Sequence, residues 1–142
     1  MDSVDLEVVR SAVAWTKSGH KATIGTITHT WGSAPRPVGA MVAIRDDGQV
    51  VGSVSGGCVE DDLIDKVKSR AVAAEKPEVV VYGVTQEQAT KYGLPCGGTL
   101  QIVLEPVREH SHLEELLAAI ERHELVARTL DMESGAASIQ AG

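Results

Sequence analysis

Apolar residues recur at helical spacing near the start of the chain: Leu6, Val9, Val13 and Ala14 share one face, Ser3 precedes them as a cap and Gly19 follows as a stop. This spacing predicts a helix over residues 4–18. From Ala22 to Thr30 the pattern changes to alternation rich in β-branched residues, which fit a pleated surface and predict a strand. Two apolar runs then flank Asp46-Asp47-Gly48, where Asp-Gly supplies the positive φ of a tight turn, so a hairpin is expected. Val59, Leu63 and Val67 restore the helical period, and Ala71 to Ala74 carry it toward Lys76, with Pro77 as the terminator. EVVVYGV reads as a strand, and TQEQATKY as a short helix opening on Thr85, with Gln88 in capping-box position, and closing at Gly93. TLQIVLEPV reads as a further strand ended by Pro106, and Leu113, Leu116, Leu117 and Ile120 form the apolar stripe of an amphipathic helix. LVARTLDM returns to strand character before a small, polar final stretch.

This order of elements predicts an α/β domain, with α+β as the alternative: a mixed β-sheet with a β-hairpin and flanking helices. Residues 1–130 are expected to form the single compact domain, and residues 131–142 a poorly ordered or truncated tail.

Composition narrows the function classes. The chain has 142 residues, 43% of them hydrophobic, and a formal charge of -7, which suits one soluble domain with a real core. Acidity, together with two Trp, two Tyr and no Phe, argues against nucleic acid as a partner, because neither a phosphate-tracking basic face nor a base-stacking platform is present. No apolar window is long enough for a membrane span, and the acidic amphipathic start is unlike a secretory signal, so a cytoplasmic protein is expected. Cys58 and Cys96 match neither a disulfide framework nor a C-x-x-C pair, so reduced thiols are expected. The five His residues show no tight pairing with either Cys, and structural zinc is not expected.

Three loops carry most of the remaining chemistry. In TWGSAPRPVGA, Pro35 and Pro37 stiffen the backbone around Arg36, whose guanidinium suits an anion, and Ser33 offers a hydroxyl. A rigid crossover with a solvated Arg36 is the competing reading. In SVSGGCVEDD, Ser55, Gly56 and Gly57 lead into a helix start whose dipole favours negative charge and a thiolate on Cys58; a tight turn with a small buried Cys competes. In GLPCGGTLQ, Pro95 fixes the approach to Cys96, while Gly97 and Gly98 open its far side to close contact. An incidental thiol in a short turn is the alternative there. Nucleophilic hydrolysis by Cys96 or Ser55 with His29 as base lacks a supporting signature: SVSGG does not complete G-x-S-x-G, and no His is tied to either nucleophile by spacing.

In this order, GSAPRPVGA, GSVSGGCVE and YGLPCGGTL resemble the N-terminal domain of the xanthine dehydrogenase accessory factor family (XdhC/CoxI), over residues 8–107 and more loosely over 112–130. The resemblance implies an accessory protein that binds molybdenum cofactor as cargo and protects it. It also implies support for sulfuration by a cysteine desulfurase and delivery to the apoenzyme of a molybdenum hydroxylase such as xanthine or carbon monoxide dehydrogenase. Such a protein is a cofactor-insertion chaperone more than a turnover enzyme, and a homodimer is compatible with it. Carried over by motif position, the cofactor-binding residues are Ser33, Arg36, Ser55, Gly56, Gly57, Cys58, Cys96, Gly97 and Gly98, with Cys96 and Cys58 as the thiols able to face molybdenum. Longer members continue into a Rossmann-like domain, and no such strand, glycine-rich turn and helix unit occurs in this sequence. The alternative is a thiol-dependent sulfur carrier or redox enzyme using Cys96, and a third reading is an interaction domain whose motifs serve packing.

Overall fold

The computed structural model of the protein describes residues 3–31, 36–54, 58–69, 73–82 and 99–141. Helix α1 (Ser3–Lys17) opens the chain. It stops at Gly19, whose φ of +91° lets the His20 N–H return to the Trp15 carbonyl at 2.9 Å. Strands β1 (Ala22–Trp31), β2 (Met41–Arg45) and β3 (Val50–Gly52) follow, and Gly48 at φ +98° turns the β2–β3 hairpin where Asp-Gly predicts it. Next come α2 (Cys58–Lys68), β4 (Glu78–Tyr82) and β5 (Thr99–Pro106). A 3-10 turn (Glu109–Ser111), α3 (Leu113–Glu121), β6 (Val126–Leu130) and β7 (Ala137–Ala141) complete the described elements.

The first five strands form one sheet in the order β3-β2-β1-β5-β4, and β6 and β7 form a separate pair. Every pairing among the described residues is antiparallel, so the sheet is not mixed and the α+β form of the expected architecture describes it. Alternation along the strands divides the core between the two faces. Val42, Ile44, Ile27, Leu100, Ile102 and Leu104 pack with Val59 and Leu63 of α2. On the other face, Ile24, Met41 and Ala43 pack with Val8, Val9 and Ala12 of α1 and with Leu113 and Leu116 of α3. Gly25 sits where β1 is most crowded: a Cβ there would lie 3.0 Å from both Leu104 Cδ2 and Val42 Cγ1.

Two expected elements differ. Helix α2 ends at Lys68 and does not reach Lys76. Ala73 adopts φ +49° and is buried in the α2-side core, a backbone conformation that an α-helix does not contain. The expected tail also takes a definite form: residues 137–141 pair with β6, from Val126 opposite Ala141 to Leu130 opposite Ala137. Arg128 of β6 reaches Glu105 of β5 at 2.5 and 3.1 Å and the Ser111 carbonyl at 2.9 Å, which ties this pair of strands to the main sheet. The short helix expected at Thr85 to Tyr92 lies outside the described residues.

Candidate functional site

Strand register brings the exits of the three motif loops to one end of the sheet. Trp31, the last residue of β1, lies opposite Thr99, the first of β5, and Tyr82, the last of β4, lies opposite Leu100. On the other side of β1, Thr26 lies opposite Met41, the first residue of β2, and Val42 lies opposite Gly52, the last of β3. The loop after β1, the loop between β3 and α2, and the loop between β4 and β5 therefore all depart from this end. Cys58 opens α2 beside it. Sequence spacing does not place these strand ends side by side; antiparallel topology does.

Of the sequence-derived site residues, Arg36 has a described side chain. The backbone of Cys58 is described as the first residue of α2, and Ser33, Ser55, Gly56, Gly57, Cys96, Gly97 and Gly98 lie outside the described residues. Arg36 is neither solvated nor unpaired: its Nη2 lies 3.5 Å from Asp5 Oδ1, and the same oxygen accepts the Met41 N–H at 3.0 Å. Asp5 in the first turn of α1 thus pins the start of β2 and orients Arg36 with one contact of its five-donor fork.

Two further links fix the loop exits. The Val54 N–H donates to Glu60 Oε1 at 3.0 Å, so this acidic residue of the first turn of α2 is folded back on the loop that precedes it. The Tyr82 hydroxyl donates to Asp62 Oδ2 at 2.5 Å, and Lys66 Nζ lies 3.1 Å from the same carboxylate oxygen and 5.0 Å from the Tyr82 ring centroid. This cluster joins the end of β4 to α2 across the sheet face. Gly52, at φ +88°, ends β3 where a Cβ would meet Val8 and sit 2.5 Å from the Met41 carbonyl oxygen, so only glycine fits.

Trp31 belongs to this end although motif reasoning missed it. It is 46% exposed, and its ring centroid lies 4.0 Å from that of His29 in a tilted stack. Residues two apart on a strand share a face, so His29-x-Trp31 at a strand end was the available signal. A bulge at Thr28, between the Ile27 and His29 pairings, sets the phase of that face. Among the described residues no group of three or more His, Cys, Asp or Glu could hold a metal ion, and no helix is long and apolar enough to cross a membrane.

Residues 15–83 match the model of the XdhC and CoxI family. The protein is 32% identical to the molybdenum cofactor insertion chaperone PaoD of Escherichia coli over 89% of this chain and 39% of PaoD. It is 25% identical to a probable xanthine dehydrogenase subunit of Bacillus subtilis, over 80% of this chain and 36% of that protein. A solved structure of a xanthine dehydrogenase from Bacillus halodurans superimposes with a TM-score of 0.72 and 28% identity, covering 97% of this chain and 42% of the other. The chain thus spans 39% and 36% of the lengths of the curated relatives it matches.

Proposed function

We propose that this domain binds molybdenum cofactor at the end of the sheet from which the three motif loops depart, and acts as a cofactor-insertion chaperone. The observation that carries the reading is the shared departure of loops 32–40, 53–57 and 83–98, flanked by Trp31 opposite Thr99 and by Gly52 opposite Val42. The residues fit the cargo in kind. Arg36, oriented by Asp5, keeps N–H donors for a phosphate. The Trp31–His29 ledge offers a flat surface to a pterin. Ser33, Ser55, Gly56, Gly57, Gly97 and Gly98 supply hydroxyl donors and close backbone approach, and Cys58 and Cys96 supply thiols for the metal end or for a sulfane sulfur. Similarity to PaoD, named for molybdenum cofactor insertion, supports the same direction.

On this reading a cysteine desulfurase supplies sulfur while the cofactor is held, and the apoenzyme of a molybdenum hydroxylase, such as xanthine or carbon monoxide dehydrogenase, receives it in the cytoplasm. The test is purification of the chain from cells that make the cofactor, under anaerobic conditions, with metal and pterin analysis of the isolated protein. Near-stoichiometric molybdenum and pterin, transferable to an apo-hydroxylase, are expected. Thiol-dependent turnover without molybdenum, and no retained pterin, would replace the chaperone reading with that of a sulfur carrier using Cys96.

A further inference from the structure

Among the described residues, Lys21, Lys68, Lys76 and Arg108 are the lysines and arginines without a carboxylate partner; the others are held in ion pairs. Lys21, Lys68 and Arg108 line one cleft of about 400 Å³ at the end of the sheet opposite the motif loops. It opens between the start of β1, the end of β5, the last turn of α2 and the β2–β3 hairpin. Its volume is that of a small-molecule site. In a chain of formal charge -7, such a gathering of uncompensated cations runs against the overall field.

Three details make the cleft receptive to an anion. Asp46, the carboxylate that lines it, is already engaged: His20 Nδ1 lies 3.0 Å from Oδ1 and the Lys21 N–H donates to Oδ2 at 3.2 Å. These two contacts hold its carboxyl below the ordinary aspartate range. Arg108 donates one N–H of Nη2 to the Ala74 carbonyl at 3.0 Å, which fixes the guanidinium and leaves the rest of its fork for a ligand. Thr23 lines the cleft at 7% exposure, and its hydroxyl makes no hydrogen bond among the described residues. This hydroxyl is not sealed in the core, so it is able to donate to a ligand in the cleft. Val67, Ala73 and Pro106 supply an apolar wall beside these groups.

We propose that this cleft is a second binding site, for a small organic oxyanion whose phosphate or carboxylate head sits among Lys21, Lys68 and Arg108 with the Thr23 hydroxyl as a further donor. The site is separate from the motif loops and does not depend on the cofactor reading. It gives the domain a place where a metabolite can bind without displacing cargo.

The test is a titration of the full chain with inorganic pyrophosphate and, separately, with succinate at matched ionic strength, followed by amide NMR shifts. Saturable shifts confined to Lys21–Thr23, Ala73–Ala74 and Val107–Arg108 are expected with one probe or both, and the probe that saturates assigns the head group. Lys21→Glu and Lys68→Glu, both exposed substitutions, are each expected to weaken binding roughly fivefold or more, while Lys76→Glu leaves it unchanged. Shifts that rise without saturation, that scatter over the surface, or that are equally weakened by Lys76→Glu would overturn the site, as would no response to either probe.

Discussion

Trp31 and Thr99 are cross-strand partners at the very end of β1 and β5, so the loop that follows one leaves the sheet beside the loop that precedes the other. The first of these loops contains Arg36 and the second Cys96. Trp31 is also half-exposed at this point and stacked on His29, with no role in either core cluster.

Trp31→Ala therefore separates folding from binding. Its thermal or urea midpoint is expected to correspond to a stability change within about 0.5 kcal/mol, as for other surface substitutions. Loss of an aromatic stacking surface is expected to weaken retention of molybdenum cofactor by roughly tenfold. Titration of wild type and variant side by side checks both.

Asp5 links α1 to the first motif loop, and its two contacts predict different effects for two substitutions. Asp5→Ala leaves the buried Met41 N–H without its acceptor and is expected to cost about 1–3 kcal/mol in urea unfolding. Arg36→Ala costs less stability, because one contact at 3.5 Å is lost, but weakens cofactor retention in a manner that fades at high salt. Equal salt dependence of binding in wild type and Arg36→Ala would remove Arg36 from the anion contact.

Arg128 and Glu105 form the most buried ion pair among the described residues, with side chains 14% and 4% exposed. Arg128→Ala strands a buried carboxylate and is expected to destabilise the fold by about 3–5 kcal/mol. Replacing both residues with apolar ones of similar size, as in Glu105→Leu with Arg128→Met, is expected to recover most of that loss. Urea midpoints of Glu105→Leu, Arg128→Met and the double variant provide the cycle.

The turn between β6 and β7 carries a pH signature. Asp131 accepts the N–H of Glu133 at 2.8 Å and that of Ser134 at 3.3 Å, and these bonds hold its carboxyl below the ordinary aspartate value of about 3.9. Because the folded value lies below the unfolded one, this contribution is present in full above about pH 4 and is lost as pH falls through the folded value. Protection factors of the β6 and β7 amides, corrected for the intrinsic exchange rate at each pH, are expected to fall over that acidic window, and Asp131→Asn to flatten the change.

Much of the fold is legible in the sequence because its signals are local. The cap and stop of α1, the Asp-Gly hairpin and the apolar stripe of α3 need no tertiary information. Helix α2 is over-extended from sequence because Ala71 to Ala74 have high helical propensity, whereas Ala73 is buried at a left-handed φ that no helix contains. The pairing of β7 with β6 was hidden for a similar reason: AASIQA is small and polar, and Glu105–Arg128, far apart in sequence, supplies the anchor. The motif loops were legible as chemistry, while their common exit depended on antiparallel register. Asp5 and Trp31 escaped notice because an acidic residue in a first helical turn and an aromatic at a strand end are ordinary until a partner is seen.

A single cofactor site built from three loops at one end of the sheet has a distinctive protection pattern. Hydrogen exchange of the full chain, measured anaerobically with and without molybdenum cofactor, tests it most directly. Protection is predicted to appear together in residues 32–40, 53–58 and 93–98, with Trp31 and Thr99 at its border and the Lys21–Lys68–Arg108 cleft unchanged. Protection of one loop alone, or of the opposite end of the sheet, would contradict it.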